Sequence, residues 1–382
     1  MALAATITWN SLRQLAAFRA ENGCAISLYV DLDPTDSPTP RDAHTRVNSL
    51  LDEGLRSDGA SRKDLTHDQR QGLRSDFERI GIFFEQEFSR DGARGLAVYC
   101  AGLDNYWRTL PLMSSVSDEI KVGRELYLTP LVPLVGRGEG ALVAVVSREQ
   151  GRLYRLRGGR LEDVADHYDE QPRRHDQGGW SQANYQRHVD NLAHEHLRTV
   201  AEDLARHVRQ ARSARVVVVC SEEIRSEFAD ALSGEARQAI VGWTHASAHA
   251  TPAELLAVVM PELERKHTEE EAAALARWRE EAGRNGRAAS GWADTLEAAS
   301  DGRVGLLLFQ AGVTREAWQC LACGRMGVEG GRCPLDGTEM EARAEGLDLA
   351  VHQTLAHGGS VWAVQAHHDL EPVEGIGALL RF

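Results

Sequence analysis

The chain holds 382 residues, more than one ordinary core accommodates, so two or three domains are expected. Hydrophobic residues make up 42% and charged residues 26%, the balance of a soluble globular protein rather than a disordered one. A net charge of −14 excludes a surface that binds nucleic acid indiscriminately, and no apolar run is long enough to cross a bilayer.

The first 18 residues lack a basic stretch followed by a continuous apolar core. They read as a short strand or turn and then a helix, so no secretory signal is inferred and a cytoplasmic setting is the expectation. In the first segment, to about residue 135, "AISLYVDLD" reads as a strand closed by Asp33-Pro34. Helical periods follow near Arg41–Leu55 and His67–Phe88. "ARGLAVYCAG", "YWRTLPL" and "ELYLTPLVPLV" then read as strands, which makes this an α/β module.

The second segment spans residues 136–262. Its opening "GRGEG" could be mistaken for a dinucleotide loop, but it precedes a strand instead of opening a helix, which rejects that reading. "ALVAVVS", "RLYRLRG" and "RLEDVAD" form a predicted meander of short strands. A long helix is predicted from about Ala183 to Gln210, with Tyr185, Val189, Leu192, Leu197, Val200, Leu204 and Val208 near a 3.6-residue period. "ARVVVVC" reads as a strand buried on both faces, of the parallel-sheet kind. The helix "EEIRSEFADAL", the strand "AIVGWT" and the helix "TPAELLAVVM" follow, the last with Thr251 as N-cap and Pro252 in its first position.

The third segment covers residues 263–382. A charged, alanine-rich helix leads to the helix "DTLEAAS" and the strand "VGLLLFQ", and the chain closes with "EGLDLAVHQTLAHGG", "SVWAVQA" and "EGIGALLRF" as helix, strand and strand. Alternation of strands and helices throughout is an α/β signature.

Cys24, Cys100 and Cys220 sit in or beside apolar runs and read as buried free thiols, and nothing suggests a disulfide framework. The other three cysteines are clustered. "CLACGRMGVEGGRCPLDG" holds Cys-x-x-Cys-Gly and then Cys-x-x-Asp-Gly. Two such turns facing one another make a zinc ribbon, with Asp336 standing where a fourth cysteine would complete the set. Cys320, Cys323, Cys333 and Asp336 are therefore candidate ligands of a structural Zn2+. A knuckle that persists without metal is the competing reading. The histidines His188, His194, His196 and His207 show no zinc-protease spacing, and no P-loop, nucleophile elbow or triad is present.

The most singular stretch is "RRHDQGGWSQANYQRH", residues 173–188. Gly178 and Gly179 permit close backbone approach to a substrate. Arg173, Arg174, His175 and Arg187 could contact phosphates, and Trp180 could stack on a nucleotide. The region from Arg152 to Arg215 holds twelve arginines against ten acidic residues, a local positive surplus in an acidic chain. A flexible polar turn is the plainer reading of the glycine pair, and residue chemistry alone leaves both open.

The same stretch, with its following helix and "ARVVVVC", resembles the central-domain loop of the archaeal and eukaryotic class I peptide-chain release factors, whose sister is Pelota. "EGIGALLRF" and "SDGRVGLLLF" resemble strands of that family's third domain, and "ISLYVDLDP" and "GLAVYC" strands of its first. The order Gly178-Gly179-Trp180-Ser181-Gln182 departs from a direct Gly-Gly-Gln and is most similar to a bacterial branch of the Vms-type release factors. The Asn-Ile-Lys-Ser and Tyr-x-Cys-x-x-x-Phe decoding patterns are absent. The resemblance implies a three-domain α/β architecture with a zinc-ribbon-like insertion. It also implies a codon-independent release or rescue factor that hydrolyses peptidyl-tRNA on the large ribosomal subunit. Gly178, Gly179, Ser181 and Gln182 would form the reactive loop. Ribosomal RNA and peptidyl-tRNA would be the partners of a monomer, with no membrane role. Two alternatives stay open: a non-catalytic ribosome-binding factor of the Pelota kind, and a Vms-type nuclease that cuts the tRNA 3′ end.

Overall fold

The computed structural model describes residues 7–33, 39–57, 65–90, 93–112, 114–135, 140–157, 159–168, 180–211, 215–247 and 249–382. Two compact units emerge, one formed by residues 1–135 with 271–382 and the other by 136–270.

The first unit opens with helix α1 (Trp9–Ala16), started by a reciprocal cap between Thr8 and Ser11. Strand β1 (Ala25–Asp31), helices α2 (Pro40–Ser57) and α3 (His67–Gln86), and strands β2 (Gly95–Ala101), β3 (Tyr106–Leu112) and β4 (Glu119–Gly123) follow. The four strands form an antiparallel sheet in the order β3-β2-β1-β4. Side chains alternate across a strand, so Ile26, Leu28 and Val30 of β1 pack with Val47, Phe77 and Ile80 of the helices. Ala25 and Tyr29 face a different cluster that holds residues from the end of the chain. Burial on both faces accounts for the unbroken apolar run in "AISLYV".

"ELYLTPLVPLV" is not the expected strand. Thr129–Leu134 is a 3-10 turn, and the strand pairing with β1 is β4, further upstream. Pro130 and Pro133 have no N–H to give a ladder. Helix α9 (Gly346–Ala356) satisfies the neighbouring backbone instead. Asp348 accepts from the Leu128 N–H at 2.9 Å, the Thr129 N–H at 3.0 Å and the Thr129 hydroxyl at 2.9 Å. His352 Nε2 lies 2.6 Å from the Leu126 carbonyl oxygen.

The second unit holds β5 (Leu142–Val146), β6 (Gln150–Arg157), β7 (Arg160–Tyr168), α4 (Trp180–Gln210), β8 (Val216–Val219), α5 (Glu222–Ala231), α6 (Gly234–Ala239), β9 (Ile240–Thr244) and the start of α7 (Pro252–Gly283). Its sheet runs β7-β6-β5-β8-β9, with β8 parallel to both β5 and β9 as the apolar run implied. Helices α4 and α5 cover one face and α7 the other. Thr251 caps α7 reciprocally with Glu254. The two helices expected on either side of residue 262 are one: α7 continues through Pro261, which removes one N–H but does not end the helix.

The rest of the first unit comprises β10 (Ala288–Ser290), α8 (Gly291–Ser300), β11 (Val304–Gln310), the short strands β12 (Ala317–Gln319), β13 (Met326–Gly327) and β14 (Glu341–Arg343), then α9 (Gly346–Ala356), β15 (Ser360–Val364) and β16 (Ile376–Leu380). The main sheet runs β10-β16-β11-β15, and β13-β12-β14 form a separate small sheet. The fold class is α/β with several sheets, as expected.

Glu271 of α7 is 1% exposed, yet it accepts from the backbone N–H groups of Gln365, Ala366 and His367 and lies 2.8 Å from His367 Nδ1. Burial raises its pKa, but the hydrogen bonds outweigh burial and the net shift is downward. A depressed carboxylate stabilises the fold above its unfolded pKa of about 4.3 and loses that contribution as pH falls through the folded value. Hydrogen exchange at residues 365–367 is therefore expected to quicken as pH is lowered below the ordinary glutamate range, after correction for intrinsic rates. Glu271→Gln should remove that dependence. Separately, Asp348→Ala leaves three donors without their acceptor and should cost the first unit about 3 kcal/mol in denaturation experiments.

Candidate functional site

Two sites stand out in the sequence. The first divides between described and undescribed residues. Arg173, Arg174, His175, Gly178 and Gly179 lie outside the described residues. The backbone of Trp180, Ser181 and Gln182 is described, and it is helical: α4 starts at Trp180, three residues before the expected Ala183. The three therefore form the first turn. The N–H groups of a helix's first turn have no acceptor within the helix, and they lie at the positive end of its dipole. No acidic residue occupies the first turn of α4 to oppose that field. Arg187, one turn further on, is exposed.

α4 is held by its later turns. Ala193, Leu197, Val200, Ala201, Leu204, Ala205 and Val208 are buried against Leu142, Ala144, Val146, Leu153, Val216 and Val218. Contact is closest at Gly151 of β6, where a Cβ would lie 2.2 Å from Val200 Cγ2. Only glycine admits the helix at that depth. Arg148, at the β5–β6 turn, pairs with Asp190 of α4 at 3.4 Å and with Glu227 of α5 at 3.0 Å. Sequence reasoning missed a further contact: His167 Nε2, at the end of β7, lies 2.8 Å from Asp203 Oδ2 on α4. Nothing in a single sequence joins two residues so far apart.

The second site is complete. Cys320, Cys323, Cys333 and Asp336 place their ligand atoms within 4.8 Å of one another. The Cys323 and Cys333 sulfurs are 3.5 Å apart, and the Cys320 sulfur is 3.4 Å from the nearer Asp336 oxygen. Tetrahedral ligands with metal–sulfur bonds of about 2.3 Å sit about 3.8 Å from one another, so the spacing fits one ion. Two equivalent turns create it. The Gly324 N–H donates to the Cys320 carbonyl and the Gly337 N–H to the Cys333 carbonyl, both at 2.9 Å. Gly324 and Gly337 have φ of +79° and +74°, a left-handed conformation that favours glycine. Asp336 thus occupies in the second turn the place of Cys323 in the first.

Electrostatics favour the ligating forms of both residues in the second turn. The Thr338 N–H, with hydrogen bonds from Cys323 second, holds Asp336 far below the usual carboxylate range. Burial raises the Cys333 thiol, but the backbone N–H groups of Leu335 and Asp336 outweigh it and lower the pKa. Arg325 ties the first turn to α8 through Glu297 at 3.0 Å and Asp301 at 3.4 Å. Three sulfurs and one carboxylate could hold a metal ion, and four protein ligands leave no open position for substrate.

Residues 127–264, which include the Gly-Gly-Trp-Ser-Gln motif and α4, match the model of "Bacterial archaeo-eukaryotic release factor family 10". No curated protein matches the chain. Among solved structures, the archaeal translation termination factor aRF1 is 16% identical over 98% of this chain and 99% of its own, with a TM-score of 0.27. Pelota of Archaeoglobus fulgidus is 18% identical over 78% and 81%, with a TM-score of 0.35. Dom34 of S. cerevisiae is 9% identical over 75% and 79%, with a TM-score of 0.39.

Cobalt(II) titration tests the cysteine site. A thiolate-to-metal absorption band saturating near one equivalent is expected, with most of its intensity lost in Cys333→Ser. No band at excess cobalt in reduced protein would reject the site.

Proposed function

We propose that the protein is a codon-independent peptide-chain release or rescue factor that promotes hydrolysis of peptidyl-tRNA on stalled large ribosomal subunits. The observation that carries this reading is the position of Ser181 and Gln182 in the first turn of α4, separated from Gly178-Gly179 by Trp180 alone, within the segment that matches the release-factor family model.

The bond to be broken is an ester, water is the nucleophile, and ribosomal RNA supplies most of the surroundings. The protein has to orient one water and to meet developing negative charge. The Gln182 backbone N–H, without a helical acceptor, suits the second role, since it can donate to the oxyanion or to the departing 3′-oxygen. Its carboxamide is the alternative group, holding the attacking water. Arg173, Arg174, His175 and Arg187 would contact RNA phosphates, and Trp180 would stack on a nucleotide. The local excess of arginine in this segment supports that assignment. Cys320, Cys323, Cys333 and Asp336 would hold Zn2+ as a structural ion. The ion would contribute folding energy to two short turns with little core of their own.

Large subunits carrying labelled peptidyl-tRNA distinguish release from its rivals. Free peptide is the expected product. Peptide still joined to a short CCA fragment would indicate the nuclease, and co-sedimentation without cleavage would indicate a binding factor. Gln182→Pro removes the backbone donor at a helical position that tolerates proline, and should lower the release rate by about 100-fold, the usual worth of such a donor. Gln182→Ala keeps that donor and should lose less. Equal release by both variants and wild type would remove Gln182 from the mechanism.

A further inference from the structure

We infer that Asp203 and His167 form a latch that aims α4, and so are positioning residues for the chemistry at its first turn. The inference rests on the release-factor reading for its purpose, and on the central unit's geometry for its existence.

Asp203 is 3% exposed and lies on the face of α4 turned to the sheet, one turn from Val200 and within a stripe that includes His196 and His207. Three basic groups surround its carboxylate. His167 Nε2 is 2.8 Å from Oδ2, Arg206 is 2.6 Å from Oδ1, and His207 Nε2 is 3.7 Å from Oδ1. Arg206 and His207 belong to α4 itself, so among the described residues His167 is the one that ties the carboxylate to another element. His167 is the penultimate residue of β7 and pairs across the sheet with Gly151, the glycine on which Val200 rests.

A buried carboxylate is an odd choice for a helix that needs only apolar packing. Replacing a whole buried pair by well-packed apolar residues is often neutral or stabilising, so stability alone does not call for it. What the charge adds is direction. Apolar side chains tolerate small tilts and rotations of one helix on a sheet, whereas a charge-assisted hydrogen bond between two ordered side chains is satisfied in one arrangement.

Direction matters here because of leverage. Among the described side chains of α4 the buried apolar contacts begin at Ala193, and Gln182 lies about 32 Å along the axis from Asp203 at 1.5 Å per residue. Over that arm a tilt of about 5° moves the first turn by about 3 Å, and misplacement of about 1 Å already costs about 100-fold in an orientation-dependent reaction. The latch and the Gly151 contact set the angle at the root, and the reaction reads it at the tip.

The test separates aim from stability. Spin labels placed at Asp163 of β7 and Asn191 of α4, both exposed, report the helix's direction by dipolar distance measurement. Wild-type protein should give one narrow distribution. Asp203→Leu should broaden or shift it, at a cost in melting temperature from the partners it leaves unpaired, and at a temperature where the variant is fully folded kcat for peptide release should fall about tenfold or more with KM within about twofold. Asp203→Asn serves the same purpose if the leucine variant does not fold. His167→Gln retains a donor to the carboxylate and should keep the narrow distribution and most of kcat. Unchanged distributions in Asp203→Leu and Asp203→Asn would overturn the latch. If wild-type protein releases no peptide, the release reading fails while the distance measurement still decides the latch.

Discussion

The candidate chemistry depends on one close approach, that of Val200 to Gly151. Because β6 has no side chain at that position, α4 lies deep on the central sheet and buries a continuous apolar stripe from Ala193 to Val208. This anchored half supplies what a bare helical turn lacks. Short helices are marginal in water, and a first turn keeps its geometry only if later turns are held. The packing at one end of α4 thereby fixes the first-turn N–H groups, which have no acceptor within the helix, at the other. The sheet beneath is built for the same load. Val216–Val219 is buried on both faces between parallel neighbours, so the strand under the helix is among the least mobile parts of its unit.

The cysteine turns follow a different logic. Each closes on its own backbone hydrogen bond and its own left-handed glycine, so the ligands are pointed before any ion arrives. The equivalence of the two turns explains how aspartate can stand for cysteine: the place is set by the backbone, and the carboxylate reaches it without distortion. Arg325 and Ser300 fasten the first turn to α8, the latter through the Met326 N–H at 2.9 Å. The small sheet is thus joined to its unit by polar contacts as well as by Met326 and Ala317 in the core.

Much of this is legible in the sequence, and the failures have physical causes. The buried strands, α4, the capped start of α7 and the ligand spacing all announce themselves by local pattern. "ELYLTPLVPLV" reads wrongly as a strand because its apolar alternation suits one, while the partners that decide it, Asp348 and His352, lie more than 200 residues away. The continuity of α7 through Pro261 is hidden because a lone proline usually marks a boundary. His167 and Asp203 are invisible for a third reason: a histidine on a strand and an aspartate on a helix carry no joint signature until the sheet brings β7 under α4. The glycine pair stands out, but chemistry alone does not separate it from a turn. The family match over its segment is what favours a function there.

The start of α4 changes what the inserted Trp180-Ser181 means. Had the helix begun at Ala183, the two residues would have lengthened a loop. They are instead its first two helical residues, and Gln182 is the third. Two residues along a helix amount to a rotation of about 200° and a rise of about 3 Å. A role that depends on the direction of the carboxamide does not survive such a displacement unchanged. A role for the backbone N–H does, because all first-turn N–H groups point along the axis toward the same end. If the proposed release reaction holds, the displaced glutamine favours the backbone as the reacting donor, and the angle of α4, more than the identity of one side chain, becomes the quantity the rest of the domain has to control.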